Sequence, residues 1–191
     1  MKEAIGQIPR IMESEMMWGH VMSDERKPAR KKLKAASEVS RLMADYYHEL
    51  DAASKSGQPK IAWCTSVGPA EILRALGFLV YFPETHAAML GATRMSTELI
   101  PRANALGYSP DICSYLTSDV GSYLAGKTPL EKMGLSTPPK ADVLVYNTNQ
   151  CRDVKDWFQW YARQWDVPCI GIHTPRAIGE LDNSTVDNVA Q

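Results

Sequence analysis

No pair of cysteines two residues apart occurs in this chain of 191 residues; its four cysteines stand singly at positions 64, 113, 151 and 169. Spacing alone therefore gives no zinc or iron–sulfur signature. Four widely separated thiols in a chain this long do not read as a disulfide framework either. Phosphate loops are also missing: neither GxGxxG nor GxxxxGK followed by Ser or Thr is found, so no nucleotide site of either kind is expected. No apolar run approaches the roughly 20 residues of a membrane span. The opening MKEAIGQIPR lacks the apolar stretch of a secretory signal. A formal net charge of −1 provides no field for nucleic acid or an anionic membrane. A reducing cytoplasm is the expected setting.

What is present reads in two parts. Residues 1–58 are helical and rather polar, and residues 59–191 form an α/β domain. A short helix is expected at 8–18. Pro28 suits a helix's first turn, and Leu33, Ala36, Val39, Leu42, Met43, Tyr46, Tyr47 and Leu50 then recur at helical spacing. Ser56-Gly57-Gln58-Pro59 should stop that helix. The basic run at 26–34 reads as the solvated start of a helix or as a weak phosphate- or CoA-facing patch. Thereafter apolar strands are expected at 61–65, 78–82, 141–146 and 167–173. Helices are expected from Pro69 to Gly77 and at 95–106, 111–125 and 151–164, with 83–86 as a loop. Apolar strands joined by helical crossovers argue for a parallel sheet flanked by helices. At 181–191, Asp182, Asn183 or Ser184 can cap a helix that has no stop signal, so the chain is expected to be the first part of a longer protein.

Three cysteines stand where a strand or loop hands over to a helix. Cys64 ends the first strand, Cys113 follows the expected cap Asp111 by two residues, and Cys151 opens the helix after the third strand. The carboxyl ends of strands in an open α/β sheet form one rim, where ligands bind, and helix dipoles there favour an anionic group. Two readings stand for these thiols: ligands of one shared metal centre, or small buried hydrophobes. Cys169, inside the fourth strand, reads as packing. Ser114 and Tyr115 can donate hydrogen bonds to sulfur, or can be a helix start and a packed ring. Asn149, among the polar residues 147–150, can line a pocket or help to cap the next helix. Glu84 and His86 follow the second strand and are candidates for acid–base work, with plain polar surface as the alternative. The ring-rich stretch Trp157, Phe158, Trp160, Tyr161 and Trp165 reads as core or subunit interface.

Four segments carry a family likeness: Trp63-Cys64-Thr65-Ser66-Val67-Gly68-Pro69, Phe82-Pro83-Glu84-Thr85-His86, Gly107-Tyr108-Ser109-Pro110-Asp111-Ile112-Cys113-Ser114-Tyr115, and Asn147-Thr148-Asn149-Gln150-Cys151-Arg152-Asp153. In this order they resemble the 2-hydroxyacyl-CoA dehydratase and class I benzoyl-CoA reductase superfamily over roughly residues 30–180. The resemblance implies flavodoxin-like α/β domains in a subunit about twice this length, paired with a related, non-identical subunit. It implies a 4Fe-4S cluster with Cys64, Cys113 and Cys151 as ligand candidates; Ser114, Tyr115 and Asn149 are then the cofactor-binding candidates, and Glu84 and His86 would lie near the thioester or the cluster. A separate iron–sulfur activator ATPase uses ATP and delivers electrons that act on an acyl-CoA. Leu116-Thr117-Ser118-Asp119 stands where dehydratase members often carry an arginine, which tilts the expectation towards an oxidoreductase subunit like those of benzoyl-CoA reductase. In some members a cluster ligand comes from the second half of the subunit, which bears most on Cys151. The alternatives are a 2-hydroxyacyl-CoA dehydratase subunit, a metal-free assembly partner, and a cysteine-nucleophile enzyme using Cys64 or Cys113 with His86.

Overall fold

The computed structural model describes residues 33–174 together with Asn183 and Asp187. The helix expected at 8–18, Pro28 and the basic run through residue 32 lie outside the described residues. So does most of 181–191, where Asn183 and Asp187 are helical. The chain divides into two units, Met1–Glu38 and Val39–Gln191. Of the first, the described part is Leu33 and the opening of helix α1 (Lys34–Ser56).

In the second unit α1 buries Tyr47, Leu50 and Ala53, one residue per turn, while Val39 and Leu42 stay exposed. The apolar repeat expected along this helix is thus buried only over its last turns. The helix stops at the expected breaker: Gly57 takes a left-handed φ of 76° and donates its N–H to Ala53 O at 2.8 Å. Strand β1 (Ile61–Cys64), helix α2 (Ala70–Ala75) and strand β2 (Leu79–Tyr81) follow. Next come helices α3 (Pro83–Ala92), α4 (Ser96–Asn104) and α5 (Ser114–Ala125), a 3-10 turn at Pro129–Met133, strand β3 (Val143–Asn147), helix α6 (Arg152–Trp165) and strand β4 (Cys169–Ile172). Among the described residues no helix is long and apolar enough to cross a membrane.

The four strands form one parallel sheet in the order β2-β1-β3-β4. The chain steps from β1 outwards to β2, then crosses back over β1 to β3. Strand order therefore reverses between β1 and β3, and a crevice opens beyond their carboxyl ends. Trp63 pairs in register with Leu144, and Cys64 with Val145.

Alternation along the strands divides the core. Trp63, Tyr81, Leu144 and Tyr146 join Leu116 and Val120 of α5 and Trp157, Phe158 and Tyr161 of α6 in the larger cluster. Ala62, Cys64, Val80, Val143 and Val145 face the other way, against Leu73 of α2. The rings of α6 belong to this interior: Tyr161 sits 4.7 Å, centroid to centroid, from both Trp63 and Trp165. On the α2 side Ile72 and Leu76 are exposed, and Ile170 and Ile172 of β4 are exposed as well.

Several local expectations are corrected. Residues 83–86 are not a loop but the first turn of α3, with Pro83 at the position whose missing N–H costs a helix nothing. Helix α5 starts later than expected, with Cys113 rather than Asp111 at its N-cap. Cys169 opens β4 instead of lying inside it.

Helix α5 approaches α4 very closely at Gly121. A Cβ on that residue would lie 2.1 Å from Leu99 O and 2.7 Å from Leu99 C, both backbone atoms. Gly121→Ala is therefore expected to destabilise the domain by about 1–3 kcal/mol. Urea unfolding should show a lower midpoint with an unchanged m value; an unaltered midpoint would refute the close packing.

Candidate functional site

The crevice beyond β1 and β3 is bounded by four segments: the β1–α2 loop, the start of α3, the start of α5 and the β3–α6 loop. Side chains tie them together. One Glu84 oxygen accepts from both the backbone N–H and the hydroxyl of Ser66; the other accepts from Gln150 Nε2 at 3.3 Å. A single carboxylate on α3 thus joins the loop after Cys64 to the loop before Cys151. Asn147 Nδ2 donates to Val67 O at 2.6 Å, a second link between the same two loops. On the far side the Cys113 N–H donates to Asp153 Oδ2 at 3.1 Å, fastening the start of α5 to the first turn of α6.

Cys64 is fully buried. The following loop folds back so tightly that a Cβ on Gly68 would lie 2.5 Å from Cys64 Sγ. Glycine is needed there for backbone to approach sulfur. Burial, with the nearby charges of Glu84 and Glu71 as smaller contributions, pushes the Cys64 thiol from its ordinary 9.0 up to about 12. Cys113 is half-buried and Cys151 exposed, and each is the N-cap of its helix. Ser114, Tyr115 and Asn149 are exposed along the same rim. Thr65 Oγ1 and Gln150 Oε1, beside Cys64 and Cys151 in sequence, are buried with no hydrogen-bond partner.

His86 lies inward of Glu84 on the same helix. It is fully buried, with Nδ1 2.5 Å from Asp119 Oδ1 and Nε2 2.9 Å from Thr128 Oγ1. Both ring nitrogens are engaged within the protein, so Glu84 alone of the two acid–base candidates reaches the rim. His173, at the end of β4, pairs through Nδ1 with Thr148 Oγ1 at 3.3 Å.

The structure therefore brings the segments carrying Cys64, Glu84, Cys113, Ser114, Asn149 and Cys151 to one rim, but it does not gather the three sulfurs. Cys64 belongs to the apolar cluster on the α2 side of the sheet, whereas Cys113 packs against the cluster on the α5 and α6 side. Among the described residues no three His, Cys, Asp or Glu side chains form a group that can hold a metal ion. By themselves the described residues do not fit a complete cluster site. Ser66, Gln150 and Asp153, which hold the rim together, were not singled out by sequence. Gln150 carried a signal as part of the polar run 147–150, and Asp153 as an acidic residue in a helix's first turn; Ser66 carried none.

Against known proteins, residues 64–191, about two thirds of the chain, match the family model described as 2-hydroxyglutaryl-CoA dehydratase, D-component. The chain belongs to that family, within the superfamily of 2-hydroxyacyl-CoA dehydratase and benzoyl-CoA reductase subunits. It is 32% identical over 136 residues to the (R)-2-hydroxyisocaproyl-CoA dehydratase alpha subunit of Clostridioides difficile, covering 71% of this chain and 32% of that one. It is 30% identical over 154 residues to the (R)-phenyllactyl-CoA dehydratase alpha subunit of Clostridium sporogenes, covering 81% and 36%. A benzoyl-CoA reductase subunit of Thauera aromatica is 23% identical over 134 residues, covering 70% and 30%. The chain spans about a third of the length of these relatives.

A ranking of thiols follows from the geometry. At pH 8 a group titrating at about 12 is ionised in roughly one molecule in ten thousand. In the metal-free protein, exposed Cys151 should react with a thiol reagent first and Cys64 last, Cys64 becoming reactive only on unfolding or as the pH approaches 12. Mass spectrometry of labelled peptides over time measures the order; rapid labelling of Cys64 in folded protein at pH 8 would contradict the burial described.

Proposed function

We propose that this chain is the α/β part of an iron–sulfur enzyme subunit that acts on an acyl-CoA by single-electron transfer. In this reading the subunit works in the cytoplasm, beside a related, non-identical subunit and a separate activator ATPase. The observation that carries it is the rim: three cysteine-bearing segments converge beyond the carboxyl ends of β1 and β3, in a chain whose relatives are named for CoA thioesters. Cys64, Cys113 and Cys151 are the proposed ligands of a 4Fe-4S cluster, with the set completed from outside the described residues. Electron chemistry belongs to the cluster. The chain's own residues hold the rim. Glu84 braces the two loops through Ser66 and Gln150, and the N-termini of α5 and α6 present positive dipole ends to negative charge developing on a thioester. Ser114, Tyr115 and Asn149, exposed on the rim, are the proposed cofactor-binding groups.

Two substrate readings have support of different kinds. Identities of 32% and 30% to dehydratase alpha subunits, against 23% to the reductase subunit, favour 2-hydroxyacyl-CoA dehydration. Leu116-Thr117-Ser118-Asp119 in place of an arginine favours reduction of an aromatic acyl-CoA of the benzoyl type.

The test uses the full-length polypeptide, purified anaerobically with its partner subunit and activator. Iron and sulfide should be present in near-equal amounts, and Cys64→Ser or Cys113→Ser should lower both at least several-fold. Turnover of a 2-hydroxyacyl-CoA or of benzoyl-CoA then decides the branch. A folded wild-type preparation holding neither iron nor sulfide would overturn the cluster assignment and leave a metal-free assembly role.

A further inference from the structure

Below the rim lies a polar cluster that the proposed chemistry does not use. Its centre is Asp119 of α5, fully buried. Asp119 Oδ1 accepts from His86 Nδ1 of α3 at 2.5 Å. Its Oδ2 accepts from two groups of α6, the Trp157 indole N–H at 3.0 Å and the Tyr161 hydroxyl at 2.7 Å. The network extends through His86 Nε2 to Thr128 Oγ1, which also accepts the Leu130 N–H at 3.2 Å. Every side chain in it is almost or wholly removed from solvent.

One carboxylate therefore binds three helices. Each of these helices begins at the rim with a residue of the candidate site. Glu84 stands two residues before His86 on α3. Cys113 stands six residues before Asp119, and Cys151 six residues before Trp157. At 1.5 Å per residue the fastening point lies about 9 Å below the caps of α5 and α6. Apolar packing alone leaves neighbouring helices some freedom to slide, because hydrophobic contact is not directional. Directional bonds to both oxygens of one acceptor remove that freedom. A carboxylate suits the position because it accepts on both oxygens and has nothing to donate, whereas all three partners present an N–H or O–H. A buried carboxylate is weak evidence for added stability; fixing one arrangement is a role attested in some proteins.

We infer that Asp119 is a positioning residue, setting the relative height of α3, α5 and α6 so that Glu84, Cys113 and Cys151 meet at one rim. What the rim is for rests on the function proposed above; the fastening itself does not. The direct bond between the Cys113 N–H and Asp153 Oδ2 is the contact most exposed to a slip of α5 against α6.

The experiment compares Asp119→Asn and Trp157→Phe with wild type in the full-length polypeptide. Asn keeps the size but turns an N–H group towards a donor; Phe keeps the ring and removes one of the three bonds. In metal-free protein that is folded by circular dichroism, labelling of half-buried Cys113 should rise about tenfold in Asp119→Asn and about threefold in Trp157→Phe, with Cys169 of β4 unchanged. In anaerobically prepared protein the electron paramagnetic resonance signal should shift at constant iron content. Should Asp119→Asn fail to fold, Trp157→Phe decides. Folded variants whose Cys113 reacts at the wild-type rate, or in which Cys113 and Cys169 speed up alike, would overturn the inference. Wild-type protein without iron would defeat the function proposed above, while the labelling would still read the positioning.

Discussion

The side-by-side pairing of β1 with β3 organises this domain. These two strands are adjacent in the sheet but are separated in the chain by β2, four helices and a 3-10 turn. The crossover that joins β2 to β3 must pass back over β1, and it carries α5 and its cysteine to the end of the sheet where Cys64 already stands. The buried faces allow only one register. Trp63 opposite Leu144 faces the aromatic interior, while Cys64 opposite Val145 faces α2. A shift of one residue would exchange the two and put an indole where a thiol now sits.

That alternation also explains why convergence of segments is not convergence of sulfurs. A thiol at a strand end points to one face of the sheet, whereas thiols at helix caps point as their helices dictate. Among the described residues Cys64 belongs to a side covered by the short helix α2, and Cys113 flanks the side packed by α5 and α6. The rim is consequently built of two halves joined by polar side chains, with Glu84 at one seam and Asp153 at the other. Both seams are made by carboxylates accepting N–H or O–H donors, bonds that are stronger than neutral ones.

Much of the architecture was legible because its strands are short apolar runs bounded by proline, glycine and polar residues, the pattern of a parallel sheet buried on both faces. The start of α3 was misread because Glu84, Thr85 and His86 look like a polar loop, although Pro83 carried the opposite signal. Cys113 was not recognised as a cap because cysteine is not among the usual capping residues, and its side chain makes no capping bond. The positions of the cysteines and Glu84 at strand and helix ends were legible, but the groups that tie those segments together were not. Glu84 meets Ser66 across 18 residues and Gln150 across 66. His86 is buried by partners 33 and 42 residues away, Asp119 and Thr128. No local pattern encodes such encounters; they arise from the crossover.

The outermost strand has a practical consequence. β4 is last in the sheet order and presents Ile170 and Ile172 to solvent with no described strand beyond it. Unpaired backbone next to β-branched side chains is a template for another molecule's strand. Self-association at high concentration should therefore limit work with the isolated polypeptide, and a lysine placed on that strand's open face is the natural means of keeping it monodisperse.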